Sequence, residues 1–216
     1  MLNKTILITR ANYESTTSYL FYWAADVLKL AQAKFTTVIS IDGDKVNKKE
    51  VTGRIKKMKP DMVHFNGHGS ASELFGHNNE VIIDASNSKY LQNSIVYALS
   101  CQSASTLGPL ATSQGAKAYI GYRQDFIFAA DNSKYAHAID DEDARLFMEP
   151  AMKVSEGLLK GKTVDETVKT AKAAFTQSIL RAASSAVQTG HSAYIPYLLW
   201  DREHLVYSGD GRASLS

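Results

Sequence analysis

Cysteine, proline and long apolar runs are all scarce in this 216-residue chain, which has one cysteine and four prolines. A single thiol cannot form an intrachain disulfide, so the fold does not require an oxidising compartment. No apolar run approaches the length of about 18 residues that a membrane span needs. The first residues also lack the apolar stretch and cleavage site of a signal peptide. These absences predict a cytoplasmic protein without membrane association.

Charge of one sign is also scarce, since 24 basic residues face 22 acidic ones and the formal net charge is +2. Such a balance gives no strong attraction to nucleic acid, and no nucleic-acid partner is expected. The hydrophobic content of 44% is ordinary for a globular protein of this length. Because no linker, repeat or low-complexity tract divides the sequence, we expect one domain over residues 1–216.

Apolar runs of strand length alternate with segments of helical periodicity along the chain. Strands are predicted over 5–9, 36–41, 61–66, 94–100, 116–122 and 204–207, with a hairpin over 74–84. Helices are predicted over 15–33, 47–58, 106–113, 141–160 and 163–184, the first capped by Ser15, Thr16 or Thr17. This alternation is typical of an α/β fold, a mostly parallel sheet with helices on both faces.

Two neighbouring predicted strands end in reactive side chains. The third strand is followed by His68 between two glycines, and the fourth by Cys101. The carboxyl ends of parallel strands meet at one edge of a sheet, where α/β proteins place their chemistry. A thiol, an imidazole and backbone donors are the groups that acyl transfer needs. We expect the helix after Cys101 to lower the pKa of the thiol through its positive end.

The blocks 63–69 (VHFNGHG) and 95–103 (IVYALSCQS), separated by the hairpin, together resemble the caspase-like cysteine peptidases. Within that clan, the stretches 107–121 and 199–210 look most like the CHAT-domain and gingipain branch. The resemblance covers nearly the whole chain. It implies a three-layer sandwich around a mostly parallel sheet of about six strands. It also implies a cysteine endopeptidase that acts on a protein or peptide substrate.

Carried over to the matching positions, the resemblance makes Cys101 the nucleophile and His68 the general acid and base. The backbone N–H groups of Gly69 and Cys101 would form the oxyanion hole. The resemblance implies no metal or organic cofactor. Because proteases of this kind are commonly held inactive until a partner or trigger releases them, it further implies a regulatory protein partner.

Leu99 stands two positions before the cysteine, where some members of the clan carry an acidic residue that selects a basic substrate side chain. A pocket for arginine or lysine would therefore need another acid. Asp125, after the fifth strand, is the nearest candidate, and Asp141 and Asp143 are further substrate-binding candidates. The acidic run 140–143 could instead cap the next helix or bind calcium.

Three alternatives remain open. An inactive caspase-like module could bind a partner through the same cleft. Zinc could be held by a set of possible ligands whose spacing matches no standard motif, namely His64, His68, His77 and Cys101. The basic segment 45–59 could bind phosphate, although its interleaved apolar residues also fit an ordinary amphipathic helix. For His64 itself, a position in the core is more typical than a catalytic role.

Overall fold

The computed structural model describes residues 2–184 and 190–216. Its strands are β1 (Leu2–Arg10), β2 (Phe35–Asp42), β3 (Met62–Asn66), β4 (Leu74–Phe75), β5 (Val81–Ile83), β6 (Ile95–Leu99), β7 (Ala118–Tyr122) and β8 (Leu205–Gly209). Its α-helices are α1 (Ser15–Lys34), α2 (Lys48–Met58), α3 (Leu107–Ser113), α4 (Glu142–Leu159), α5 (Val164–Ser184) and α6 (Ile195–His204).

Six strands form the central sheet in the order β2-β1-β3-β6-β7-β8. Each neighbouring pair is parallel except β7 and β8, which are antiparallel. The remaining strands, β4 and β5, form the predicted hairpin, and its turn falls at His77–Asn79. The prediction of an α/β fold with a mostly parallel sheet of six strands is therefore confirmed.

The two faces of the sheet pack against different helices. Successive side chains of a strand point to opposite faces. Accordingly, Ile6 and Ile8 of β1 join the apolar cluster that contains residues of α1, α4 and α5. Leu7, between them, joins the second cluster, with residues of α2 and α3. Each such fully buried side chain contributes about 1.5–3 kcal/mol, so a one-residue slip of β1 is strongly disfavoured.

The prediction that Ser15, Thr16 or Thr17 caps the start of α1 was wrong. Glu14 is the N-cap, and its carboxylate accepts the N–H groups of Thr16 at 2.8 Å and Thr17 at 2.6 Å. The Thr17 hydroxyl in turn accepts the N–H of Glu14 at 3.3 Å. This reciprocal arrangement satisfies N–H groups that the first helical turn leaves without a partner. It also holds a carboxylate just beyond the end of β1.

Helix α6 was not predicted from the sequence. It has Pro196 in its first turn and leads directly into β8, and it packs against α5. Its Asp201 side chain is fully buried. In the described part of the chain, every helix is too short or too polar to cross a membrane. One domain over residues 1–216 stays a prediction.

Candidate active site

The register between β3 and β6 brings His68 and Cys101 to the same edge of the sheet. Asn66 pairs with Leu99 in the parallel ladder, and the N–H of Gly67 donates to the Leu99 carbonyl at 3.4 Å. His68 lies two positions after Asn66, and Cys101 lies two positions after Leu99. Both side chains therefore leave the sheet at the same level, beyond the carboxyl ends of adjacent strands.

Gly69 allows the backbone after His68 to pack directly against the nucleophile strand. A methyl group at this position would lie 2.9 Å from the Cys101 carbonyl oxygen and 2.9 Å from Cβ of Ser100. Only glycine permits that approach without displacement of the neighbouring backbone. Within the described residues, neither the Gly69 N–H nor the Cys101 N–H donates to an acceptor. Both N–H groups are thus able to donate to a ligand.

The His68 imidazole is held by the acid that caps α1. Its Nε2 lies 3.2 Å from Oε1 of Glu14, and both side chains are about one-third exposed. Burial alone would raise the pKa of Glu14, but the N–H groups of Thr17 and Thr16 and the nearby imidazole hold it below its ordinary value. Glu14 is therefore a carboxylate at neutral pH. It can fix the orientation of the imidazole and stabilise its protonated form.

The Cys101 thiol is partly buried, and its pKa lies above the ordinary value. Burial raises its pKa to about 11, and the charges of Asp125 and Asp201 act in the same direction. The thiol donates to the Phe126 carbonyl, with Sγ 3.9 Å from the oxygen. The expectation that a helix lowers this pKa was wrong, because α3 begins only at Leu107, beyond an intervening turn.

Residues 124–127, here called the cover segment, lie against the turn that carries the thiol. The N–H of Gln102 donates to the Gln124 carbonyl at 3.0 Å, and its side-chain Nε2 donates to Oδ1 of Asp125 at 2.9 Å. Gln102 has the left-handed φ of +56°, which turns the backbone immediately after Cys101. The cover segment thus contacts both the nucleophile and the residue that follows it.

Helix α6 fixes the cover segment from behind. The indole Nε1 of Trp200 donates to the Asp125 carbonyl at 3.0 Å, and Oδ1 of Asp201 accepts the N–H of Ile127 at 3.0 Å. Burial raises the pKa of Asp201 well above its ordinary value. Its other oxygen has no hydrogen-bond partner among the described residues. Trp200 is 40% exposed and acts through this hydrogen bond.

The three acidic candidates for substrate binding lie in different surroundings. Asp125 is exposed beside the thiol. Asp141 is buried as the N-cap of α4, and its Oδ2 also accepts the Tyr19 hydroxyl at 2.6 Å. Asp143 contacts the Tyr194 hydroxyl at 3.0 Å and Nε2 of His191 at 2.9 Å. The helix-capping interpretation is confirmed for Asp141, and substrate binding by any of the three stays a prediction.

His64 belongs to the core, as the sequence favoured. It is fully buried, stacks on Tyr97 with ring centroids 4.9 Å apart, and has Nδ1 2.9 Å from the Ser155 hydroxyl. Burial lowers the pKa of His64 to about 3, so the ring is neutral. Across residues 2–184 and 190–216, no group of three or more His, Cys, Asp or Glu side chains could hold a metal. The four zinc-ligand candidates are therefore not brought together.

Glu14, Trp200 and Asp201 were missed by the sequence analysis. For Glu14 a signal existed, because it follows β1, and β1 neighbours β3 in the sheet. An acid after one strand and a histidine after the next can meet at the shared carboxyl edge. No comparable signal marks Trp200 or Asp201, since their role depends on the path of the cover segment.

Several solved structures share this fold. The crystal structure of the Arg-specific cysteine proteinase gingipain R (RgpB) superposes with a TM-score of 0.64 at 14% identity, covering 99% of this chain and 47% of that chain. The complex of Porphyromonas gingivalis RgpB pro- and mature domains gives 0.62 at 12% identity, covering 96% and 47%. A structure described only as a protease gives 0.61 at 14% identity, covering 98% and 48%.

The likeness to these structures confirms the expected caspase-like fold. This chain spans about half the length of each chain that it matches. No protein-family model matches the sequence, and no curated protein is significantly similar to it. The fold is therefore established by architecture, and the chemistry has to be argued from the residues at the edge of the sheet.

Proposed function

We propose that this chain is a cysteine endopeptidase with Cys101 as nucleophile and His68 as general acid and base. The observation that carries the proposal is the register of β3 and β6, which projects a thiol and an imidazole from adjacent strand ends. The close packing of Gly69 against Ser100 and Cys101 supports it, since it brings the backbone that follows His68 against the backbone that carries the thiol. A binding module would have no need of this set of groups.

In the reaction, the Cys101 sulfur attacks the carbonyl carbon of the scissile peptide bond while the thiol proton passes to His68. The oxyanion that forms accepts the N–H groups of Gly69 and Cys101. The carbon–nitrogen bond then breaks as His68 returns the proton to the leaving amine. Water, deprotonated by His68, hydrolyses the thioester and restores the thiol. Every step uses groups of the chain itself and water.

Glu14 acts in this scheme as a positioning residue. Its carboxylate holds Nε2 of His68 and stabilises the imidazolium that exists between the two proton transfers. Because Glu14 is itself fixed by the first turn of α1, the imidazole loses little orientational freedom on reaction. The role is analogous to that of the third member of a hydrolase triad.

The cover segment makes this conformation a resting one. A thiol with a pKa of about 11 is almost entirely protonated at neutral pH, and the thiolate is the reactive form. Movement of residues 124–127 away from Cys101 would relieve part of the burial and withdraw the charge of Asp125, both of which raise the pKa of the thiol. A partner or a substrate that engages this segment would therefore activate the enzyme, and a regulatory protein partner remains part of the proposal.

A basic residue before the scissile bond is the preference that the site supports best. Asp125 is exposed, lies beside the thiol and carries a formal negative charge that Gln102 only partly engages. Asp141 and Asp143 are held by their contacts with α1 and with residues 191–194. Asp125 is thus the first candidate for recognition of an arginine or lysine side chain. A cytoplasmic location stays a prediction.

The covered, protonated thiol also favours a second candidate, an inactive caspase-like module that binds a partner through the same cleft. One experiment separates the two. The purified chain and its Cys101→Ala variant are incubated with a proteome-derived peptide library, and new termini are read by mass spectrometry. Cleavage by the first and not by the second is the expected result. The Trp200→Phe variant is designed to release the cover segment. If this variant also cleaves no peptide, the inactive module is favoured.

A further inference from the structure

Four lysines that form no salt bridge with any described residue cluster on the face of the sheet that α2 and α3 cover. We call this cluster the lysine groove and define it as Lys49, Lys56, Lys59, Lys89 and Tyr90. Two cavities of about 400 and 240 Å³ adjoin there and share Lys56 and Tyr90 as lining residues. Cavities of this combined size are typical of binding sites.

The lysine groove carries an excess of positive charge, which acidic residues elsewhere in the chain largely offset. None of its four lysines forms a salt bridge within the described residues, and neither cavity has an aspartate or glutamate in its lining. The chain as a whole carries a formal charge of only +2. Unpaired ammonium groups gathered on one face create a local potential that attracts anions.

The first turn of α2 shows which anion suits this helix. Nζ of Lys48 lies 2.7 Å from Oδ2 of Asp84, and the backbone N–H of Lys48 donates to Oε1 of Glu80 at 3.0 Å. The ammonium of Lys48 lowers the pKa of Asp84 to about 2. Two carboxylates of the chain itself therefore bind at the start of α2. Lys56, near the end of α2, and Lys59, just beyond it, have no such carboxylate among the described residues.

Tyr90 argues against a nucleobase as the ligand. Nζ of Lys56 lies 4.2 Å from the centre of its ring, and Nζ of Lys89 lies 5.6 Å from it. Proteins that bind single-stranded nucleic acid stack bases on open aromatic faces. Here ammonium groups already occupy the ring, and they hold it through cation–π contacts. Tyr90 thus positions Lys56 and Lys89, and its ring is not an open surface on which a base could stack.

We infer that the lysine groove binds an acidic, carboxylate-rich segment of a partner protein. Such a segment would extend the row of carboxylates that Asp84 and Glu80 begin at Lys48. The side chains of Thr52, Gln92 and Asn93 along the cavities would add neutral donors. This inference goes beyond the proposed peptidase activity and does not depend on it, since Cys101 and His68 take no part.

Fluorescence anisotropy with a labelled peptide of about ten glutamates tests the inference at low salt, where exposed charges are least screened. The paired variant Lys56→Gln/Lys89→Gln should weaken binding roughly fivefold. The control Lys29→Gln/Lys169→Gln removes the same charge from α1 and α5, on the other face of the sheet, and should change binding less than about twofold. Thermal unfolding checks that all variants are folded.

Two results would overturn the inference. If the groove variant and the control variant lose the same affinity, the attraction is general and not localised to the lysine groove. If an oligothymidylate of equal charge binds more tightly than the glutamate peptide, the site is one for nucleic acid. A fivefold loss confined to Lys56→Gln/Lys89→Gln, together with weaker binding of the oligothymidylate, would support it.

Discussion

Nε2 of His68 lies 3.2 Å from Oε1 of Glu14, and the same carboxylate caps the first turn of α1. One side chain therefore joins the end of β1 to the end of β3 at the edge of the sheet. The helix cap fixes the acid, and the acid fixes the imidazole. The capping role of Glu14 and its proposed role in positioning His68 can be separated, because Thr17 shares only the capping role.

Replacement of Glu14 by Gln should lower kcat at least about tenfold with KM nearly unchanged, since the imidazolium loses its charged partner. Thr17→Val removes the other half of the capping box and keeps the carboxylate beside His68. It should cost about 1 kcal/mol of stability while kcat stays within about twofold. Steady-state kinetics and urea unfolding of both variants check this. Equal losses of kcat in the two would mean that Glu14 acts only as a cap.

Gly69→Ala should impair both stability and activity, because the added methyl would lie 2.9 Å from the Cys101 carbonyl oxygen and from Cβ of Ser100. The backbone must shift, at a cost of about 1–3 kcal/mol. Gly53→Ala is the matched control, since a methyl there meets nothing within 4 Å. In the interior of α2 it should stabilise the fold by about 0.5–1 kcal/mol. Unfolding midpoints that fall equally for both variants would refute the close packing at Gly69.

Trp200→Phe should make Cys101 more reactive, because it removes the indole N–H that holds the Asp125 carbonyl. A fall of half a unit in the thiol pKa would speed alkylation by iodoacetamide at pH 8 about threefold. Trp23→Phe is the matched control, since its indole donates at 3.0 Å to Ala138, away from the thiol. The alkylation rate of the wild-type chain should keep rising with pH toward about 11. Identical rates for the two tryptophan variants would contradict the role given to α6.

Acid should destabilise the protein through His64. The pKa of the buried ring is about 3, against 6.5 for an ordinary histidine, so between these values only the unfolded chain binds the proton. The free energy of unfolding therefore decreases as the pH falls from about 6.5 toward 3, by up to about 1.4 kcal/mol per pH unit.

The double variant His64→Phe/Ser155→Ala removes the titratable imidazole and does not leave the Ser155 hydroxyl unpaired. Its free energy of unfolding, measured in urea from pH 7 to pH 4, should decline less steeply than that of the wild type. Matching slopes would show that His64 does not titrate on unfolding in this range.

Much of the fold could be predicted because its signals are local. The apolar strands before His68 and Cys101, the hairpin between them and the periodic helices all have patterns that a short window reveals. Their joint placement then follows from a general rule, that parallel strands end at one edge. Helix α6 had no such pattern, since Leu198, Leu199 and Trp200 are consecutive and no side chain caps its start.

The rest of the site depends on contacts between distant segments. Glu14 meets His68 only because β1 and β3 are neighbours in the sheet. The raised pKa of Cys101 comes from burial and from the charges of Asp125 and Asp201, which approach it from the cover segment and from α6. The sequence around Cys101 indicated a lowered pKa, but burial by these segments outweighs any effect of the short α3. Tertiary contacts decided each point that the sequence missed.

The central claim, that Cys101 is a nucleophile assisted by His68, is tested most directly by covalent capture. The folded wild type, Cys101→Ala and His68→Ala are treated with peptidyl acyloxymethyl ketones of mixed sequence, and adducts are located by mass spectrometry. We expect one adduct, on Cys101, absent from Cys101→Ala and formed about a hundredfold more slowly in His68→Ala. Equal labelling of the wild type and His68→Ala, or peptide cleavage that survives Cys101→Ala, would contradict the account.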